Sequence, residues 1–398
     1  MKRESIITVI TAIIFIAVFA LNHFVLNPKQ YQKDVLHIGF VYDGDESIPY
    51  SNNFIRAQHI LQERFGEQIR IHTRSNVNPD NLEITLTELV NLNCSLIFTT
   101  SYSHAIIAKE FAKEYPKVHF CQASGDNAAQ EPVLKNYHTF MGEIYQGRYV
   151  SGIVAGMKLQ EMLDKKIITP SEAKVGYVGA YPYPEVISGF TAFFLGVRSV
   201  VPFAHMLVNY TYTWSSFSEE KIKAKSLIDQ GCKIISQHSD TIGPAVACEE
   251  SFDKTVYHIG YNQSMVDIAP TTSLTSTRIN WVPYVTGAVE AILKKKNIEK
   301  SIKGHVHGTD IGAGFDLGWV QMLELNSIIT AEGTREKVEK TIQAFKKGRQ
   351  SVFVGDYIGI NPYDEEDTYN LHKEYKENAS SSAPSFCYIL KDVITVEE

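Results

Sequence analysis

The sequence predicts an α/β chain of two comparable lobes, each a mostly parallel sheet flanked by helices, following an N-terminal hydrophobic helix. Three observations carry this. Short apolar runs alternate with segments of helical period along most of the chain. The runs are apolar throughout, as strands covered on both faces are. The alternation begins again near residue 145, so the pattern occurs twice. A length of 398 residues suits two or three compact units.

The N-terminus reads as a signal peptide or membrane anchor over residues 1–26. Lys2 and Arg3 precede the apolar run 6–21, and no charge falls between Glu4 and Lys29. Val18-Phe19-Ala20 offers a cleavage site, whereas Phe24, Val25 and Leu26 prolong the run towards bilayer length and favour an uncleaved anchor. Lys2 and Arg3 stay inside, which places the rest on the extracytoplasmic face of a bacterial plasma membrane, or secreted if the segment is cleaved. No cysteine lies nearby to carry a lipid. Residues 27–34 form a polar linker.

The first half then runs strand 35–42, helix 53–65, strand 69–73, helix 81–92 with Asp80 as its N-cap, strand 95–99, helix 104–114 and strand 118–122. The second half runs helix 145–163, strand 173–178, helix 186–197, strand 204–212, helix 219–230, strand 233–236, helix 243–250 and strand 256–260. The tail 361–385 is polar and leads to a strand-like stretch, 386–396, expected to pack back on the body. The lobes are expected at 35–140 plus 277–310 and at 141–276 plus 311–398.

Composition excludes several function classes. A net charge of -7 gives no general attraction to nucleic-acid phosphate. The cysteines, 5 in number and without CxxC spacing, read as small buried hydrophobes, notably Cys94, Cys121 and Cys232. No GxGxxG or Walker A motif occurs, and no GxSxG elbow. His305-Val306-His307 with Asp310 lacks a third ligand of clear spacing, so no metal and no cofactor are expected. Gln237-His238-Ser239-Asp240 is the most enzyme-like tetrad, and a ligand-side or structural role is the plainer reading.

Ligands of open α/β sheets sit beyond the carboxyl ends of the strands. The loops there carry Asp43 and Asp45, Tyr50 to Asn53, Tyr102, Asp126, Tyr181 and Tyr183, Trp214 and Phe217, Asp240, and Asn262. Carboxylates, amides and flat rings in these loops suit a ligand with a planar ring and hydroxyls. Bland alternatives stay open: Asp43 or Asp45 can cap a turn, Tyr50 can be a surface aromatic, Asp126 an Asx-turn residue and Trp214 a lid edge.

Certain segments resemble the basic membrane protein family of ABC-transporter substrate-binding proteins, relatives of the purine nucleoside receptor. They are 35–40 with its acidic loop, 143–152 (EIYQGRYVSG), 174–190 (KVGYVGAYPYPEVISGF), 195–202 (LGVRSVVP), 216–231, 258–262 (HIGYN) and 273–278 (SLTSTR). The resemblance spans about 35–320. It implies a periplasmic-binding-protein type I fold, a small polar ligand such as a purine nucleoside, an ABC-transporter permease as partner, and no catalysis. Carried onto this chain, it implies Asp43, Tyr50 with Asn53, and Asp126 around the base, with Trp214 or Phe217 from the second lobe. It implies Asn262 and Arg278 at the ribose. Two departures stand out: the first loop reads IPYSNNF rather than DxSFN, and Gly260-Tyr261-Asn262 puts an amide where a carboxylate is usual. A membrane-tethered sensor on the same fold, or less readily a nucleoside-acting hydrolase, are the rival readings.

Overall fold

The computed structural model describes residues 13, 16, 35–125 and 130–397. Apart from positions 13 and 16, the expected N-terminal helix lies outside the described residues, as do the linker and Asp126. Among the described residues no helix is long and apolar enough to cross a membrane.

The first lobe opens with β1 (Leu36–Val41), α1 (Pro49–Phe65), β2 (Ile69–Arg74), α2 (Pro79–Asn91), β3 (Leu96–Thr99), α3 (Ala105–Glu114), β4 (His119–Ala123) and β5 (Tyr137–Gly142). Helix α4 (Ile144–Asp164) carries the chain into the second lobe. There follow β6 (Lys174–Gly179), α5 (Pro184–Arg198), β7 (His205–Tyr210), α6 (Phe217–Asp229), β8 (Ile234–His238), α7 (Gly243–Glu249), β9 (Tyr257–Tyr261) and β10 (Ser273–Ile279). The chain returns through α8 (Val282–Leu293), α9 (Ile298–Ser301), β11 (His305–His307) and β12 (Asp310–Ala313), then crosses again to β13 (Val320–Met322) and α10 (Thr334–Lys346). It ends in β14 (Ile358–Asn361), β15 (Asp364–Asn370), β16 (Ile389–Leu390) and β17 (Ile394–Glu397).

One seven-stranded sheet has the order β11-β12-β5-β4-β3-β1-β2 and the other β13-β10-β9-β8-β6-β7-β17. All pairings in them are parallel except β11 with β12 and β10 with β13. The tail does pack back, since β17 extends the second sheet beside β7. Strands β14, β15 and β16 form a small third sheet.

The chain crosses between lobes three times, at 142–144, 279–282 and 313–320, and the crossings are tied together. Glu143 N donates to Ala313 O at 2.9 Å, and Asn280 N donates to Trp319 O at 2.7 Å. His305 pairs with Glu143 on one crossing and, at 3.3 Å, with Asp316 on another. Those two carboxylates raise its pKa to about 10.

Helix α1 starts before the expected helix, so Tyr50 to Asn53 belong to its first turns rather than to a loop. Pro49 suits the first helical position, where its missing N–H would be unpaired in any case. The cap of α2 is Asn78, whose side chain accepts from Asp80 N and Asn81 N, and not Asp80. Two central strands escape a hydropathy reading. Strand β5 (YHTFMG) buries His138 by pairing it with Glu299 and, at 2.9 Å, with His119. Strand β10 (SLTSTRI) buries small hydroxyls because α4 lies close above it. A Cβ on Gly147 would meet Thr277 Oγ1 at 2.3 Å. All five cysteines are free; Cys387 is half-buried and the others are buried.

Candidate functional site

The cleft lies between the carboxyl ends of the two sheets, where the strand-following loops converge. Its inner cavity, about 40 Å³, is lined from the first lobe by Asp43, Tyr50, Ser101, Tyr102 and Ser124. From the second lobe come Glu185, Trp214, His238, Asp240 and Tyr261. A wider outer cavity of about 880 Å³ continues from it past Tyr102, Tyr181, Tyr183 and Trp214.

Each wall is positioned by its element. Tyr50, on the first turn of α1, donates its hydroxyl to Thr100 O at 2.6 Å. Its ring meets Phe54 and Trp281 edge-on at 5.5 Å and 6.2 Å. Behind it Phe54 stacks on Trp281 at 4.3 Å, so the ring rests on a rigid aromatic core. Burial, reinforced by Glu185 across the cleft, raises its pKa well above the ordinary value. Asp43 follows β1 and accepts from Ser101 Oγ at 3.1 Å. Asp45 takes the bland role: its carboxylate accepts from Ser47 N and Ser47 Oγ at 2.9 Å and 2.6 Å, an Asx turn.

In the second lobe Tyr181 stacks on Tyr183 at 5.0 Å, and Trp214 meets Tyr181 edge-on at 5.5 Å. Tyr102 of the first lobe reaches Tyr183 at 5.3 Å, so the aromatic group bridges the cleft. A second bridge is polar. Asn53 Nδ2 donates to Asn262 Oδ1 at 3.2 Å, and Asn262 Nδ2 reaches Asp240 Oδ1 at 3.5 Å. Burial pushes the Asp240 carboxyl well above its usual range, helped by Glu220, Glu185 and Asp43.

The tetrad at the end of β8 is not arranged for nucleophilic catalysis. Ser239 Oγ donates to Glu220 Oε2 at 2.8 Å rather than to His238. Gln237 Nε2 is held by Ser239 O and Thr241 O. Burial and Arg148 lower the His238 pKa to about 4, so the ring is neutral.

Of the residues expected from sequence, the inner cavity brings together Asp43, Tyr50, Tyr102, Trp214 and Asp240. Tyr183 lies on the outer cavity, while Asn53 and Asn262 form the bridge beside it. Phe217 and Arg278 line neither. Phe217 opens α6 with its ring exposed beneath Lys221. Arg278 is turned to Gln321, donating from Nε at 3.0 Å, because β13 pairs alongside β10 there. Sequence reasoning missed Glu185. An acid in the first turn of a helix complements the helix dipole wherever it occurs, so nothing in the sequence marks this one as cleft-facing.

Comparison with known proteins agrees with this fold. The family model described as ABC transporter substrate-binding protein, PnrA-like (Bmp), matches residues 49–351, more than half of the chain. A purine-binding protein of Brucella abortus is 29% identical over 336 residues, covering 83% of this chain and 87% of that one. The fold is similar to an ABC transporter solute-binding protein of Aeropyrum pernix, with TM-score 0.65 at 14% identity, covering 83% of this chain and 95% of that one. It is also similar to a solute-binding protein of Conexibacter woesei, with TM-score 0.59 at 17% identity, covering 79% and 98%. Two mostly parallel sheets meeting at an aromatic, carboxylate-lined cleft, together with the family match over 49–351, place this chain in the PnrA-like (Bmp) family of ABC-transporter substrate-binding proteins.

Proposed function

We propose that the ligand is a purine nucleoside, captured between the lobes and handed unchanged to an ABC-transporter permease, with the N-terminal segment tethering the receptor to the outer face of the plasma membrane. One observation carries the ligand class: rings and carboxylates from both lobes face one cavity. Tyr50 and Trp214 offer faces for a purine ring, and Asp43, Glu185 and Asp240 accept from amine and hydroxyl donors. The relative from Brucella abortus, which its name describes as purine-binding, supports the same class. Closure of the lobes dries these contacts, which strengthens each hydrogen bond.

The test is a thermal-shift screen of the chain against nucleosides, free bases and sugars, followed by calorimetry on each hit. Stabilisation by purine nucleosides and not by sugars is the expected result. Stabilisation by sugars alone overturns the ligand class and leaves the family intact. Incubation with inosine should release no free base; release would make the chain an enzyme.

A further inference from the structure

The charge of the cleft goes beyond what a neutral nucleoside requires. Asp43, Glu185 and Asp240 line the inner cavity, and no lysine or arginine lines it among the described residues. Arg148 stands behind the wall: it is fully buried, donates from Nη1 to Gln237 O at 2.7 Å and lies 3.6 Å from the Tyr261 ring centroid, while its Nε and Nη2 make no hydrogen bond. Arg278, the basic residue that the sequence offered, is held by Gln321 outside the cavity. Burial above all, with Glu220, Glu185 and Asp43, biases Asp240 towards its protonated form, and Arg148 opposes this.

Two further groups on the cavity wall lack partners. The Tyr261 hydroxyl and both ring nitrogens of His238 are buried without a hydrogen bond, and His238 Nε2 stands 3.5 Å from Glu185 Oε1. Aromatic side chains line the same space: Tyr50, Tyr102, Trp214 and Tyr261. Carboxylates and aromatic rings around one cavity, with no lysine or arginine on its wall among the described residues, are what an organic cation needs to replace its lost hydration. An anion would be repelled there, and a neutral ligand would offer its donors to the carboxylates without balancing their charge.

We propose that this cleft selects a positively charged planar ligand, a cationic purine nucleoside if the nucleoside reading above holds, with Glu185 and Asp240 setting the preference. On binding, the ligand's charge sits against the Glu185 and Asp240 carboxyls on the cavity wall. A ring nitrogen bearing an alkyl group, or an exocyclic amine that stays protonated, meets the requirement.

The test uses calorimetry on the full chain with two matched pairs. Adenosine and 1-methyladenosine share ring and ribose and differ by one methyl group and the charge that it fixes near neutral pH. Nicotinamide and 1-methylnicotinamide make the same comparison without ribose. The charged member should bind about tenfold tighter in at least one pair. Glu185→Gln and Asp240→Asn should each shrink that ratio several-fold. If the charged member binds no tighter than the neutral one in both pairs, or if nothing binds, the proposal is overturned. Binding of adenosine with no preference for its methylated form, and none within the second pair, overturns the proposal and leaves the nucleoside reading standing. A preference within the nicotinamide pair, with no binding of either nucleoside, supports the proposal and overturns the nucleoside reading.

Discussion

Asn262 stands where the family resemblance leads one to expect a carboxylate, and its amide does what a carboxylate cannot. It accepts from Asn53 with its oxygen and turns its nitrogen to Asp240. Its backbone is left-handed, at φ 66°, a conformation that asparagine tolerates better than most residues. Asn262→Asp would replace the amide donor facing Asp240 with a second carboxyl group. The expected outcome is a loss of about 1–3 kcal/mol in ligand binding, read by calorimetry. Trp214 tests the stacking role. Trp214→Ala should weaken ligand binding by about 1–3 kcal/mol while leaving the circular dichroism spectrum unchanged. Unchanged affinity would mean that Trp214 is only an edge of the outer cavity.

At the scale of elements, helices α4 and α5 form the tightest contact of the second lobe. Two glycines face each other across it. A Cβ on Gly152 would lie 1.9 Å from Phe193 O, and one on Gly196 would lie 2.1 Å from Tyr149 O. Both obstacles are backbone, which cannot swing aside as a side chain does. Gly152→Ala and Gly196→Ala should each destabilise the fold by at least about 1–3 kcal/mol, seen as a lower midpoint in denaturant unfolding. The same closeness explains what was and was not legible in the sequence. Apolar runs such as those of β1, β3 and β8 declare themselves. Strand β10 does not, because the nearby helix demands small side chains, and its threonines satisfy their hydroxyls on neighbouring carbonyls. Thr275 donates to Leu323 O and Thr277 to Gln321 O, each at 3.1 Å. Strand β5 hides for a related reason: His138 is buried only because Glu299 and His119 are placed to receive it, and both lie far from a local window.

At the scale of the whole molecule, His305 joins two of the three crossings between the lobes. Its pKa is raised from about 6.5 to about 10 by Asp316 and Glu143. A group with a raised folded pKa stabilises the fold fully below the unfolded value and loses that contribution as pH rises through the folded one. The window therefore runs from about pH 6.5 to about pH 10. Half of the His305 side chain is exposed, so the contribution is no more than about 1 kcal/mol. Denaturant unfolding of the chain and of His305→Gln should differ at about pH 6 and converge towards about pH 10. A constant difference would remove the ion pairs from the account. The C-terminal stretch beyond the family match also belongs to this scale. It adds β17 to the second sheet, and Ser382 lies 3.4 Å from Thr139 on the first, so one segment touches both lobes.

By itself the sequence determined the α/β alternation, the doubling into two lobes and the carboxylates, amides and rings of the strand-following loops, because those are set by local periodicity and by a topological rule. The tertiary structure decided which of them meet. Asp43 and Asp45 differ by two positions, yet one faces the cleft and the other closes a turn. Arg278 is drawn to Gln321 by the antiparallel pairing of β13, and Glu185 enters the cleft through the orientation of α5. Side-chain direction at such positions depends on which element packs alongside, and that contact is made between residues tens to hundreds of positions apart.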